Sequence, residues 1–132
     1  MLNITKTVEY GLIAMKHINK YGIDKLCSSK EISTIYHVPK EIMAKTMQKL
    51  CKKKYINAVK GPLGGYYLNK SLNKINLIEF IEDLEGPVGL VKCNTNSDCD
   101  LLEFCNIKSP LRKIHTNLRR VLNNISLNEI TN

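Results

Sequence analysis

Apolar residues near the start of the chain fall at Ile4, Val8, Leu12, Met15 and Ile18. Spacings of four, four, three and three put them on one face of a helix over 4–20, and Gly22 supplies its stop. Ser28-Ser29-Lys30-Glu31 then has the form of a capping box, in which the Ser28 hydroxyl accepts from the N–H of Glu31 and Glu31 reaches back. A short helix through Ile32 and Ile35 follows. His37-Val38 makes a turn, and Pro39 suits a first helical position, where its missing N–H costs nothing. The helix predicted over 39–53 buries Met43, Met47 and Leu50 and turns Glu41, Lys45, Lys49 and Lys52 outward. Two short helices about a tight turn, the second basic on its open face, have the form of a helix-turn-helix.

The period changes at Tyr55-Ile56-Asn57-Ala58-Val59, which reads as a strand. Lys60-Gly61-Pro62-Leu63-Gly64-Gly65 is a loop, and Tyr66-Tyr67-Leu68 returns as a second strand. A hairpin directly after a recognition helix is a wing, and its glycines let backbone approach a neighbour closely, a phosphate among the options. Asn76-Leu77-Ile78-Glu79 starts a further helix and Gly86-Pro87 stops it. From Ser109-Pro110 a long helix carries an apolar stripe of Leu111, Ile114, Leu118, Val121, Leu122 and Ile125, with Arg112, Lys113, Arg119 and Arg120 off it. Such a stripe beyond a complete winged domain needs cover, from the same helix of a second copy or from its own domain. The expected fold class is mainly α with a small β-hairpin wing. Its parts are a winged helix-turn-helix over 1–86, a cysteine-bearing loop over 87–108, and a dimerisation helix and tail over 109–132.

Composition sharpens this picture. The 132 residues carry a net charge of +8, which favours polyanionic partners, nucleic acid first. Seven Lys and one Glu lie within 40–60, whereas Glu79, Glu82, Asp83 and Glu85 reverse the sign. No run is apolar enough to span a bilayer, and the N-terminus lacks a signal-peptide core, so a cytoplasmic location with no membrane partner is expected. Aromatic residues are 6% with no Trp, which points to an aliphatic core. No Ser/His/Asp set or paired metal His is present, and Gly61-x-x-Gly64-Gly65 matches no standard nucleotide loop, so an enzyme is not expected.

Cys93, Cys99 and Cys105 are spaced Cys-x5-Cys-x5-Cys. Soft thiolates gathered in one loop suit an iron–sulfur cluster or zinc, and the spacing alone does not choose between them. Three reduced thiols, or a thiol redox switch, are the alternative. Cys27 and Cys51 stand apart and read as small packing residues.

The chain resembles the Rrf2 family of bacterial regulators. The resemblance rests on Thr7-Val8-Glu9-Tyr10-Gly11-Leu12, on Lys60-Gly61-Pro62-Leu63-Gly64-Gly65-Tyr66-Tyr67-Leu68 and on Asn76-Leu77-Ile78-Glu79-Phe80-Ile81 with Glu85-Gly86. The three-cysteine segment and Leu122-Asn123-Asn124-Ile125-Ser126-Leu127 complete it. It implies a homodimer that reads a palindromic site in double-stranded promoter DNA, with the C-terminal helices crossing at the dimer interface. It also implies that Cys93, Cys99 and Cys105 bind a cluster, since the iron–sulfur branch of the family, IscR-like and NsrR-like, carries this spacing. IscR-like relatives place a His three residues after the last Cys; here Lys108 stands there and cannot serve. NsrR-like relatives use an acidic residue of the first helix donated by the partner subunit, which matches Glu9, and on that likeness [4Fe-4S] is favoured over [2Fe-2S]. Asp98, Asp100, Glu103 and His115 stay open as ligands.

On the DNA side, Lys40, Glu41, Ala44, Lys45 and Lys49 are expected at the major groove, where Lys reads guanine and Glu41 accepts from cytosine. Lys49, Lys52 and Lys53 suit phosphate contacts better. Lys60, Gly61, Gly64 and Gly65 would lie along the minor groove or backbone, and Ser28, heading the first helix of the motif, is grouped with them. Relatives commonly have Glu where Ala44 stands. The expected function is a regulator sensing redox, nitric oxide or iron–sulfur status. The rivals are a cluster-free regulator controlled by thiol oxidation or a partner protein, and an iron–sulfur electron carrier.

Overall fold

The computed structural model describes residues 4–87 and 108–131. Helix α1 (Lys6–Tyr21) begins where the Thr5 side chain accepts from the Val8 N–H, and it ends at Gly22. Ile4 therefore precedes the helix and is exposed, while Val8, Met15 and Ile18 are buried as their spacing required.

Helix α2 (Ser29–Tyr36) is capped by Ser28, whose Oγ accepts from the Glu31 N–H at 3.0 Å. The other half of the expected capping box is not what Glu31 does. Its two carboxylate oxygens turn to His17 Nε2 at 2.7 Å and Lys25 Nζ at 3.1 Å, side-chain donors that make charge-assisted hydrogen bonds to the carboxylate and outbid a backbone N–H. His37 closes the helix in the left-handed region, φ 56°, and the Val38 N–H returns to the Ser33 carbonyl at 3.0 Å. Pro39 has ψ 131°, so it caps α3 (Lys40–Lys52) from outside instead of opening it as a first helical residue. The end of α3 is a Schellman turn: Lys54 sits at φ 67°, its N–H bonds to Cys51 O, and the Tyr55 N–H reaches Leu50 O, each at 3.0 Å.

Strands β1 (Ile56–Val59) and β2 (Gly65–Leu68) pair antiparallel, with Ile56 opposite Leu68 and Val59 opposite Gly65. The wing is also tied to the chain ahead of α2 through β2. The Cys27 N–H donates to Tyr66 O at 3.1 Å and the Tyr66 N–H to Cys27 O at 2.8 Å. A 3-10 turn (Leu72–Lys74) leads to helix α4 (Leu77–Glu85), where Asn76 Oδ1 accepts from the Glu79 N–H at 2.7 Å. The acidic run of α4 is spent on internal struts. Thr5 Oγ1 donates to Glu85 at 2.8 Å, the Tyr55 hydroxyl donates to Asp83, and Arg119 pairs with Glu82.

The C-terminal segment departs most from the expected pattern. Helix α5 (Lys108–Asn123) ends, and a separate short helix α6 (Leu127–Thr131) follows. The break is made by the backbone. The Leu77 N–H bonds to Ile125 O at 2.8 Å and the Leu127 N–H to Ile75 O at 2.9 Å, a strand-like pairing that a continuing helix would forbid. Leu127 is thereby fully buried among the residues of the winged core. That core is largely aliphatic and methionine-rich, as expected, but Tyr55 and Phe80 are also fully buried in it, ring centroids 5.3 Å apart. Leu122 packs on the core, whereas Ile114 and Val121 are 54% and 59% exposed on the same helix.

Candidate nucleic-acid interface

Helix α3 buries Met43, Thr46, Met47 and Leu50, and this fixes what it shows outward. Lys40, Glu41, Lys45, Gln48 and Lys52 are exposed, and Ala44 is half-buried at the edge of that face. The ion pairs among the described residues are Lys6–Glu9, Lys25–Glu31, Arg119–Glu82 and the His17–Glu31 contact. None involves Lys40, Lys45, Lys52, Lys53 or Lys60, so among the described residues no acidic side chain pairs with their ammonium groups. Lys49 behaves differently. Its Nζ turns back to the Leu84 carbonyl at 3.5 Å, where it complements the C-terminal end of α4.

In the wing, Lys60 and Gly61 face solvent, and Gly61 has φ 112° with open space where a side chain would stand. Gly64 and Gly65 are small for a different reason. A Cβ on Gly64 would lie 2.1 Å from the Val59 carbonyl oxygen, and one on Gly65 would lie 2.9 Å from Leu26 Cβ and 3.0 Å from Cys27 O. The close approach these two glycines allow is to their own chain. Ser28 is half-buried, with its oxygen engaged in the α2 cap. Gln48, which is absent from the expected set of Lys40, Glu41, Ala44, Lys45 and Lys49, shares the open face and has the amide that pairs with adenine. Its position three residues after Lys45 was the available signal. Leu63, 93% exposed at the wing tip, was likewise passed over, because a loop has no period to mark it.

Cys93, Cys99 and Cys105, with Asp98, Asp100 and Glu103, lie outside the described residues. Glu9 is half-exposed in the first turn of α1 and pairs with Lys6 at 3.0 Å, which raises the Lys6 pKa. The cap of that same turn, Thr5, bonds Glu85 at the end of α4, close to where the chain enters the cysteine segment. His115 Nδ1 in α5 is buried and has no hydrogen-bond partner among the described residues. Cys27 is fully buried and Cys51 half-buried, both as free thiols. No helix among the described residues is long and apolar enough to cross a membrane.

Comparison with known proteins agrees with this architecture. The Rrf2 family model, described as an iron-dependent transcriptional regulator, matches residues 4–132. The fold is similar to that of CymR (YrzC), the global cysteine regulator of B. subtilis, with a TM-score of 0.76 at 23% identity over 99% of this chain and 97% of that one. It is similar to T. potens IscR, TM-score 0.74 at 22% identity, over 98% of this chain and 85% of that one. The oxidized form of Staphylococcus aureus CymR gives 0.74 at 22% identity, over 98% and 96%.

Proposed function

The chain belongs to the Rrf2 family of DNA-binding transcriptional regulators, which are not enzymes, and from that premise we propose that it acts as a homodimer sensing redox, nitric oxide or iron–sulfur status. The observation that carries the DNA-binding surface is the outward face of α3, where Lys45 and Lys52 have no acidic partner among the described residues and stand beside Glu41 and Gln48. Lys40, Glu41, Ala44, Lys45 and Gln48 enter the major groove; Lys52, Lys53 and Lys60 with Gly61 follow the phosphates. Lys49, Ser28, Gly64 and Gly65 hold this surface in shape.

The dimer is supported by α5, whose Ile114 and Val121 stay exposed on the stripe that Leu122 docks. The matching helix of a second copy covers them, which sets two α3 helices against two half-sites of a palindrome. Three thiols at even spacing suit an iron–sulfur cluster chemically, with [4Fe-4S] favoured over [2Fe-2S]. Cys93, Cys99 and Cys105 would hold it, and Glu9 of the partner would complete it. When bound, the cluster supplies a redox- and nitric oxide-sensitive group between winged domain and α5. Its loss would let that junction relax and shift the two recognition helices.

Selection from a randomised duplex library tests the DNA reading: enrichment of an inverted repeat supports a dimer, and recovery of no sequence above background removes it. Anaerobic purification with iron and sulfide analysis tests the cluster. Brown protein whose iron is lost in Cys93→Ala supports it, and colourless protein after reconstitution leaves the cluster-free regulator.

A further inference from the structure

A second group of metal-ligating side chains lies far from the cysteine segment in sequence, in the corner where α1, the start of α2 and the wing meet. His17 of α1 is 2% exposed, Cys27 is fully buried on the bridge to β2, and Glu31 stands in the first turn of α2 with its side chain 26% exposed. Their ligand atoms all lie within 4.8 Å of one another. His17 is already oriented from both sides, Nε2 by Glu31 Oε2 at 2.7 Å and Nδ1 by the Tyr36 hydroxyl at 2.9 Å.

We propose that His17, Cys27 and Glu31 form a binding site for a borderline divalent cation, zinc foremost. One nitrogen, one sulfur and one oxygen donor, with a fourth position open, is a donor set that zinc accepts. Bond lengths of about 2.3 Å to sulfur and about 2.0 Å to nitrogen or oxygen place tetrahedral donors roughly 3.3–3.5 Å apart. The His17–Glu31 pair, at 2.7 Å, must open by about 0.6 Å, and the sulfur, within 4.8 Å of the other two donors, must close by up to about 1.3 Å, within reach of side-chain rotation. Tyr36 completes the design as the hydrogen-bond partner that a metal-binding imidazole needs on its other nitrogen.

The proton balance is simple. Burial, followed by the Glu31 charge, raises the Cys27 pKa, so the empty site keeps the thiol. The ion replaces that proton, which leaves to solvent. In the empty site His17 donates its Nε2–H to Glu31 and accepts from the Tyr36 hydroxyl at Nδ1; when Nε2 takes the ion, the imidazole proton moves to Nδ1, where the Tyr36 oxygen accepts it, so His17 releases no net proton. Glu31 is already ionised, because its hydrogen bond from His17 lowers its pKa. The entry side is the exposed edge of Glu31, covered by the Lys25 ammonium, which is displaced to admit ion and water. An occupied site would pin α1, α2 and, through the Cys27–Tyr66 bridge, the wing to one ion.

The test uses the full chain with Cys93, Cys99 and Cys105 replaced by Ser, so that the cysteine segment cannot contribute thiolates. Titration with cobalt(II) is followed by its thiolate charge-transfer band and by the intense visible bands of tetrahedral cobalt. One cobalt per chain, displaced by zinc, is expected, with the thiolate band lost on adding Cys27→Ser. Tyr36→Phe should keep the band and weaken binding by about 10–100-fold. Should Cys27→Ser fail to fold, Glu31→Gln at its partly exposed position must weaken binding more than Tyr36→Phe does, as loss of a ligand exceeds loss of its support. No thiolate band, or a band that survives Cys27→Ser, overturns the proposal.

Discussion

Gly65→Ala measures whether the wing glycines serve the protein's own packing or an outside phosphate. The new methyl would stand 2.9 Å from Leu26 Cβ, 3.0 Å from Cys27 O and 3.1 Å from Cys27 C, and two of these three are backbone atoms that cannot step aside. If the bridge holds, crowding of this kind costs about 1–3 kcal/mol. If the wing lifts instead, it loses the Cys27–Tyr66 pair of hydrogen bonds, at about 1 kcal/mol each. Both routes lead to about 2 kcal/mol. With a urea slope of roughly 1–3 kcal/mol per molar, the unfolding midpoint should fall by about 1 M. Urea denaturation followed by far-ultraviolet circular dichroism reads this directly. A variant that keeps the parental midpoint while losing DNA affinity would refute the packing argument and return Gly65 to the DNA surface.

Leu127→Ala should cost about 2–5 kcal/mol, since its side chain is fully buried, whereas Ile130→Ala in the same short helix, at a 42% exposed position, should cost under about 1 kcal/mol. Equal effects of the two in thermal melts would mean that α6 does not plug the core. Asn76→Ala removes the acceptor of the Glu79 N–H and should cost about 1 kcal/mol, restored in large part by Asn76→Asp. Glu31 has its pKa lowered, first by the His17 hydrogen bond, so its stabilisation is fully present above the ordinary carboxylate value of 4.5 and is lost as pH falls through the lowered one. The stability gap between the parent and Glu31→Gln should therefore shrink on acidification below about pH 4.5, and a gap that widens would contradict the His17 pairing.

The helices and the wing were legible because apolar period and turn chemistry agree over them. Met43, Met47 and Leu50 are buried as their spacing demanded, and Asn76 and Gly86 bound α4 as they promised. What escaped depends on contacts distant in sequence. His37 and Lys54 adopt left-handed turns with no glycine to announce them. Glu31 answers to His17, fourteen residues away, so a local capping motif foretold only half its behaviour. Residues 124–127 leave the helix because residues 75–77 offer backbone partners, although Ser126-x-x-Glu129 was a start signal for α6, and Glu129 does reach back to the Ser126 N–H at 3.2 Å. On α3, the sequence pattern turned Lys45, Lys49 and Lys52 outward alike, whereas in the structure the Lys49 ammonium is turned to α4. The ligand set of Cys93, Cys99 and Cys105 lies outside the described residues.

In the proposed function the lysines of α3 and the wing, unpaired among the described residues, grip DNA as a dimer. Fluorescence anisotropy on a random-sequence duplex, titrated at salt concentrations from 50 to 200 mM, tests it without knowledge of the operator. About 6–10 phosphate contacts from two copies would lower affinity by roughly 10³–10⁵ across that range. Lys52→Ala, which removes one contact per copy, should flatten the log–log salt slope by about two for a dimer, whereas Lys49→Ala should leave it unchanged. A slope that Lys52→Ala does not alter, or that Lys49→Ala flattens equally, would contradict this assignment of the surface.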